Sequence, residues 1–328
     1  MNPSNLLSKL VKIIKENRGL ILIFLLASFL WLYRFKEALL FANDQAIDLL
    51  IARSIAEDGH RPLLGPLLSL NNIYGPPTYY YFLALAFLAG RTLVGTALVF
   101  VLINLAGLWG FYLLANRLFN KQTGLTAALL YAISYPMFVS ARNMWQPHLV
   151  PVLIVFSLYF LAVFKETKRW LHLTLSLFLY AMSLSVYFSP ILLLAYYWFQ
   201  VRRLIKDVVK TNYPGIVTAT LMVLAIGATF SPQLYYELIN GFPFLKSPSL
   251  LSEVNKIPAV SKLISQILSF ISFTFAPLAI RNDWWKWLAF TITEILILVY
   301  KKLSDIVNHN SKYLWVFSPI PLFLGLVT

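Results

Sequence analysis

Two aspartates near the start of the chain have the spacing and the setting of a general base. Asp44 and Asp48 are four residues apart, so on a helix both carboxylates point to one side. They follow the first apolar run of the chain, at residues 20–32. A carboxylate held near hydrocarbon is partly desolvated, which raises its basicity and suits removal of a proton from a hydroxyl. The alternative is structural, with one aspartate capping a helix and the other solvated in a loop.

A segment with cationic residues, at 140–148, offers complementary chemistry. Arg142 lies there between two apolar runs, and its fork of N–H donors suits a phosphate group. His148 can donate to the same phosphate, and Arg53 is a further candidate cation. The alternatives stay open, since an arginine at a membrane boundary often only extends its charge into water. A lone histidine is likewise more often a satisfied polar residue than a ligand.

Aromatic and amide side chains close to these charges are candidates for contact with a sugar or an acceptor. Tyr79 and Tyr80 follow a Gly-Pro-Pro turn, and Trp145 and Gln146 follow Arg142. Aromatic rings suit both sugar stacking and anchoring at a membrane boundary. The sequence has no glycine-rich phosphate loop, no paired-histidine metal motif and no nucleophile elbow. A soluble nucleotide-sugar or ATP site is therefore not supported.

Membrane helices must position these residues. The chain of 328 residues is 59% hydrophobic and 12% charged, about half the charge of a soluble domain. About 20 apolar residues cross a bilayer, and apolar runs recur at 20–32, 94–114, 149–164 and 216–230. We predict an all-α, polytopic transmembrane bundle of about nine to eleven helices forming one domain, 1–328. The lack of alternation argues against a barrel, and the lack of cysteine excludes disulfides and thiolate metal sites.

The basic residues predict an orientation for this bundle. The net charge is +14, but the cations lie in short loops beside apolar runs, so we expect no nucleic-acid partner. Residues 1–19 are expected to be a cytoplasmic amphipathic start, and 34–77 and 231–262 to be the first and second external loops. Residues 78–89 are short for a span and fit an interfacial or re-entrant helix. If they cross, the basic loops after them fall outside.

The order of several motifs resembles the GT-C glycosyltransferases of the family 39 type. That group includes protein O-mannosyltransferases and the lipid A aminoarabinose transferase. The motifs are Asn-Asp-Gln-Ala-Ile-Asp at 43–48, Tyr-Gly-Pro-Pro-Thr-Tyr-Tyr-Tyr at 74–81, Ser-Ala-Arg at 140–142 and Trp-x-Pro-x-Leu-x-Pro at 145–151. The resemblance covers residues 20–262. Within the first external loop we expect short interfacial helices, one of them at Asp44–Asp58, with Asn43 or Asp44 able to cap its start and Gly59 following its end.

The resemblance also implies a mechanism. The donor would be a polyprenyl-phosphate sugar, the active site would face away from the cytoplasm, and transfer would invert the anomeric carbon. Asp44 would be the base, with Asp48 as a partial substitute for the glutamate that many relatives have where this chain has Gln45. Gln45 then becomes a candidate sugar contact, and the need for a divalent metal stays open. Arg142 would bind the donor phosphate, with His148 or Arg53.

The expected acceptor is a protein, lipid or glycan hydroxyl, and the expected location is the plasma membrane, with a cytoplasmic N-terminus. Family members are usually longer, which implies that a C-terminal part is missing. The rival class is a polytopic transporter or lipid-linked sugar flippase, and a third is a non-catalytic scaffold. A transporter needs ionisable residues deep in several spans and often inverted repeats. Here most acidic residues lie between the apolar runs, and no repeat is visible.

Overall fold

The computed structural model describes residues 3–67, 74–209 and 213–243, with side chains from residue 15 onward. Within these ranges the regular structure is helical, and the only β features are two isolated bridges. The α-helices are α1 (Pro3–Leu32), α2 (Asn43–Asp58), α3 (Thr78–Gly90), α4 (Leu93–Leu118), α5 (Lys121–Ile133), α6 (Tyr135–Ala141), α7 (Val150–Thr167), α8 (Trp170–Val186), α9 (Leu194–Val209) and α10 (Pro214–Ile239). Two 3₁₀ turns, Gln146–Leu149 and Ser189–Leu193, precede α7 and α9. The all-α prediction is confirmed for these ranges.

Some of these helices are long and apolar enough to cross a membrane. They are α4, α10 and the segment Gln146–Thr167, and α5 with α6 adds a fourth span if the pair, bent by 65°, is counted as one. The predicted total of about nine to eleven is not confirmed, because residues 244–328 lie outside the description. α3 and α8 are shorter apolar helices, and α3 matches the short helix predicted at 78–89.

The chain divides into two compact units. The first contains Met1–His60 and Tyr80–Tyr180, and the second contains Arg61–Tyr79 and Ala181–Thr328. In the first unit α4 packs against α5 and α7, with glycines at the contacts. A Cβ on Gly107 would lie 2.7 Å from the Tyr131 hydroxyl, and one on Gly124 would lie 2.9 Å from the Cβ of Asn116. These helices approach closely because the glycines have no side chain.

Contacts in the first unit show which residues lie near each end of α1. The Lys121 ammonium, at the start of α5, donates to the carbonyl of Glu16. Arg142, just after α6, donates to carbonyls at Leu30, Trp31 and Tyr33. The α5–α6 pair therefore runs parallel to α1 over roughly 22 Å. The basic residues around Lys121 lie at one end of α1, and Arg142 lies at the other.

In the second unit, α9 and α10 pack together. α9 buries Tyr197, Val201 and Ile205 and exposes Arg202 and Lys206, so these cations form one exposed face of the helix.

α10 extends into the segment predicted to be the second external loop. The second external loop was placed from residue 231, but α10 continues through Pro232 to Ile239. Proline removes the N–H that would bond the carbonyl of Ala228. The Ser231 hydroxyl donates to that carbonyl instead, at 2.9 Å. Because this bond replaces the missing one, the helix continues. The part of 231–262 beyond residue 243 lies outside the description.

Candidate active site

The helix that carries the two aspartates is capped by neither of them. α2 begins after Ala42, whose backbone is extended and whose N–H donates to the side-chain oxygen of Gln45 at 3.0 Å. Gln45, the residue predicted to touch the sugar, is 8% exposed. Its side-chain oxygen is already hydrogen-bonded at the start of the helix. Gly59, with φ of 70°, ends the helix in the left-handed conformation that glycine favours. The capping alternative for Asp44 and Asp48 is therefore wrong.

Burial distinguishes the two carboxylates. Asp44 lies exposed in the first turn of α2, whereas Asp48 is 5% exposed on the buried face with Gln45 and Ala52. Asp48 is hydrogen-bonded to the Tyr80 side chain of α3. Desolvation raises the pKa of Asp48 from 3.8 to about 7; the Tyr80 bond opposes this rise and the Asp44 charge adds to it. Asp48 can therefore gain or lose a proton near neutral pH.

Arg142 holds the C-terminal end of α1. Its Nε donates to the Trp31 carbonyl at 2.9 Å, and its Nη2 donates to Leu30 at 2.9 Å and to Tyr33. The last carbonyls of a helix lack partners within the helix and carry a partial negative charge, so a guanidinium is suited to them. The guanidinium also lies 4.1 Å from the Phe138 ring, and Arg142 is 4% exposed. No local pattern predicts this partner, since more than 100 positions separate Arg142 from these α1 carbonyls.

A β-bridge brings the carboxylate helix next to the arginine segment. Leu40, three residues before α2, pairs in parallel with Asn143, the residue after Arg142. Paired backbones lie about 4.8 Å apart. The first turn of α2 and Arg142 are therefore neighbours at one end of α1. The described residues contain no ion pair between Arg142 and either aspartate.

Most of the remaining residues of the arginine segment are buried. His148 is 3% exposed, its Nδ1 lies 3.2 Å from the Asn143 carbonyl, and its ring meets the edge of Trp145 at 5.5 Å. Gln146 begins the 3₁₀ turn and is 8% exposed. The side-chain oxygen of Asn143 is buried and has no partner among the described residues. Asn143 therefore offers a hydrogen-bonding group that the sequence analysis overlooked.

A chain of hydrogen bonds between buried polar groups connects this segment to α4 and α5. The Ser140 hydroxyl donates to the His148 carbonyl at 3.3 Å, and the Asn104 amide lies 3.5 Å from the Ser140 carbonyl. The Tyr131 hydroxyl in turn donates to the Asn104 side-chain oxygen at 3.4 Å. The sequence analysis missed Asn104, although an amide inside the apolar run 94–114 is costly in a membrane and so marks a role.

One predicted site residue, Arg53, faces away from Asp44. The Arg53 side chain is 60% exposed and forms an ion pair with Glu57 at 2.6 Å. It lies about two and a half turns from Asp44 along α2, and so on the opposite side of the helix. Tyr79 is fully buried and belongs to the second unit, whereas Tyr80 belongs to the first.

The metal question stays open. In the part of the chain that the structure describes, no three histidine or acidic side chains are grouped as metal ligands. Asp44 and Asp48 are a pair without a third such neighbour in that part. The described residues therefore give no position for a divalent ion.

Apolar helices that can cross a bilayer, with a carboxylate helix beside an arginine at one end, are features of a membrane-embedded transferase. A family model described as dolichyl-phosphate-mannose-protein mannosyltransferase matches residues 74–236. This match confirms the resemblance found in the motifs: the chain is a membrane glycosyltransferase of the GT-C type. A search of curated proteins finds no match. The matched range includes Tyr80, Arg142 and His148, whereas Asp44 and Asp48 precede it.

Proposed function

We propose that the chain transfers a sugar from a polyprenyl-phosphate donor to an acceptor hydroxyl of a protein, lipid or glycan, on the extracytoplasmic face. The observation that supports this most is the Leu40–Asn143 bridge, which pairs the backbone shortly before α2 with the residue after Arg142. A base and a phosphate-binding cation are the two groups that such a transfer requires. The family match favours this enzyme over the transporter and scaffold alternatives.

Asp44 is the general base of the proposed reaction. It is exposed in the first turn of α2, so an acceptor hydroxyl can reach it. The carboxylate takes the hydroxyl proton while the acceptor oxygen attacks the anomeric carbon. The bond from that carbon to the phosphate oxygen breaks on the opposite face, its electrons go to the phosphate, and the configuration inverts. Asp48 lies on the buried face of α2, where its hydrogen bond to Tyr80 connects α2 to α3.

Arg142 and His148 are the proposed phosphate ligands. A guanidinium has five N–H donors, and the α1 carbonyls engage three of those of Arg142, on Nε and Nη2. The two on Nη1 have no partner among the described residues, and no described carboxylate pairs with the charge. These donors can stabilise the charge that grows on the departing phosphate. Arg53 is left out of this role because it is turned away and paired with Glu57.

The test is transfer by membranes that contain the protein, supplied with a panel of labelled polyprenyl-phosphate sugars. Asp44→Asn is expected to lower transfer by about 100-fold or more, because general-base catalysis contributes that much, without changing the melting temperature. Asp58→Asn makes the same exchange at the exposed far end of α2 and should retain activity. Unchanged turnover in Asp44→Asn would end the assignment. Transfer from none of the donors would reject the proposed donor class.

A further inference from the structure

An apolar groove runs along the outside of α1 in the first unit. It has a volume of about 460 Å³ and is lined by Leu20, Ile21, Phe24, Leu25, Ser28 and Trp109. Ser28 is the one polar side chain in this lining. The α1 residues lie at intervals of one turn, so the groove follows the helix axis for roughly 12 Å. One leaflet of hydrocarbon is about 15 Å deep, so the groove can hold most of the part of an acyl chain that crosses one leaflet.

A basic cleft adjoins the groove at the N-terminal end. It has a volume of about 610 Å³, and Leu20 lines both spaces. Its charged lining consists of Lys15, Arg18 and Lys121 with one acid, Glu16. The Lys121 ammonium donates to the Glu16 backbone carbonyl, which fixes α5 against α1. Two helices therefore form the cleft, and its charge is net positive.

We propose that the groove and the cleft together bind one anionic phospholipid. The phosphate of the headgroup lies between Lys15, Arg18 and Lys121, and one acyl chain follows the groove past Leu20 to Ser28 and Trp109. Charge complementarity selects the headgroup, and the apolar groove that continues from the cleft selects a lipid over a soluble phosphate. Each cation near an anionic headgroup improves binding by about 5-fold.

This site is separate from the candidate active site. The cleft lies beside Glu16 and Lys121, whereas Arg142 binds the carbonyls of Leu30 to Tyr33 at the other end of α1. The bound lipid is therefore not the sugar donor of the proposed reaction. It fills the surface between α1, α4 and α5, the helices that also support the arginine segment.

Trp109 provides a direct probe because it lines the acyl end of the groove. The full chain is reconstituted into phosphatidylcholine vesicles that contain a few per cent of a lipid brominated on its acyl chains. Bromine quenches nearby tryptophans, and the difference between the wild type and Trp109→Phe isolates this one ring. Brominated phosphatidylglycerol is expected to quench Trp109 at mole fractions at least about 5-fold lower than brominated phosphatidylcholine.

Variants separate the headgroup from the acyl chain. The triple variant Lys15→Gln, Arg18→Gln, Lys121→Gln should abolish the preference for phosphatidylglycerol. The matched triple Lys165→Gln, Lys168→Gln, Arg169→Gln changes cations that do not line the cleft and should keep it. Ser28→Phe fills the groove without changing a charge and should weaken quenching by both lipids.

Three outcomes would overturn the proposal. Equal quenching by the two lipids in the wild-type protein would show that the cleft does not select an anionic headgroup. Loss of the preference on addition of millimolar inorganic phosphate would show a site for soluble phosphate. Equal losses in the two triple variants would show a general effect of surface charge, with no specific site.

Discussion

At the scale of single residues, Asp48 has the clearest physical signature. Its folded-state pKa of about 7 lies well above the 3.8 of an exposed aspartate, chiefly because burial disfavours its charged form. Between these two values the folded chain holds a proton that the unfolded chain has released. The stability that this proton represents is complete below pH 4 and is lost as the pH rises to about 7.

Replacement of Asp48 by asparagine should remove this pH dependence. Wild-type stability is expected to fall by at most about 4 kcal/mol between pH 4 and pH 7, since each pKa unit is worth about 1.4 kcal/mol. Asp48→Asn has no proton to lose, so its melting temperature in detergent should be flatter over this range. Asp58→Asn, an exposed control on the same helix, should follow the wild-type curve. A wild-type curve already flat from pH 4 to pH 7 would contradict the assigned burial of Asp48.

The Tyr80 hydroxyl is expected to set where that curve levels off. Its hydrogen bond lowers the pKa of Asp48, so Tyr80→Phe should raise this pKa and extend the loss of stability to a higher pH. Melting curves at half-unit steps from pH 5 to pH 9 measure the shift. Tyr79→Phe changes the adjacent tyrosine in the same way; it can lower the melting temperature, but the shape of its pH curve should match the wild type. Coincident curves for Tyr80→Phe and the wild type would show that the bond contributes nothing to the pKa.

At the scale of elements, Arg142 stabilises the end of α1. Arg142→Gln removes a charged fork from three carbonyls, and each hydrogen bond to a charged group contributes about 1.5–3 kcal/mol. The melting temperature should therefore fall by about 5 °C or more. Arg142→Lys keeps the charge without the fork and should recover part of the loss. Arg203→Gln, on the exposed face of α9, is the control and should change little. An unchanged melting temperature in Arg142→Gln would show that Arg142 does not stabilise the end of α1.

The sequence predicted the helices better than it predicted their contacts. The apolar runs at 20–32, 94–114 and 216–230 each lie inside one helix, and the run at 149–164 lies in α7 apart from its first residue, because length and hydrophobicity are local properties. Two other features depend on partners that no local pattern reveals. The burial of Asp48 depends on Tyr80, and the capping role of Arg142 depends on the distant carbonyls of α1. Motif order singled out the Asp44 and Arg142 segments, and their roles stay predictions, whereas Asn143 and Asn104 were not singled out.

Glycine at position 107 is expected to be necessary for helix packing. A Cβ there would lie 2.7 Å from the Tyr131 hydroxyl and 2.9 Å from Val152. Gly107→Ala should therefore cost about 1–3 kcal/mol through overpacking. Gly227→Ala is the matched control inside α10, where an added Cβ meets nothing within 4 Å, and it should be neutral or stabilising because alanine favours helix. Thermal unfolding of the two variants checks this; equal effects would show that the close approach at Gly107 is not important.

At the scale of the whole molecule, the charges of the first unit are divided between the two ends of α1. Asp44 and Arg142 belong to one end, and Lys15, Arg18 and Lys121 belong to the other. Arg117 and Glu166 join the ends of α4 and α7 at 2.6 Å, on the side where α5 begins. Cations gathered at one end are typical of the cytoplasmic side of a membrane protein. We therefore expect the cleft to face the cytoplasm and the carboxylate helix to face away from it.

Labelling from each side of the membrane tests this orientation. The chain has no cysteine, so a single introduced cysteine reacts alone with a membrane-impermeant maleimide. Lys168→Cys is exposed in the short turn after α7, and Asp58→Cys is exposed at the end of α2. In intact cells Asp58→Cys should be labelled and Lys168→Cys protected, and inverted vesicles should give the reverse. Both sites labelled from the same side would show that the ends of α2 and α7 share a compartment, and the proposed extracytoplasmic site would have to be abandoned.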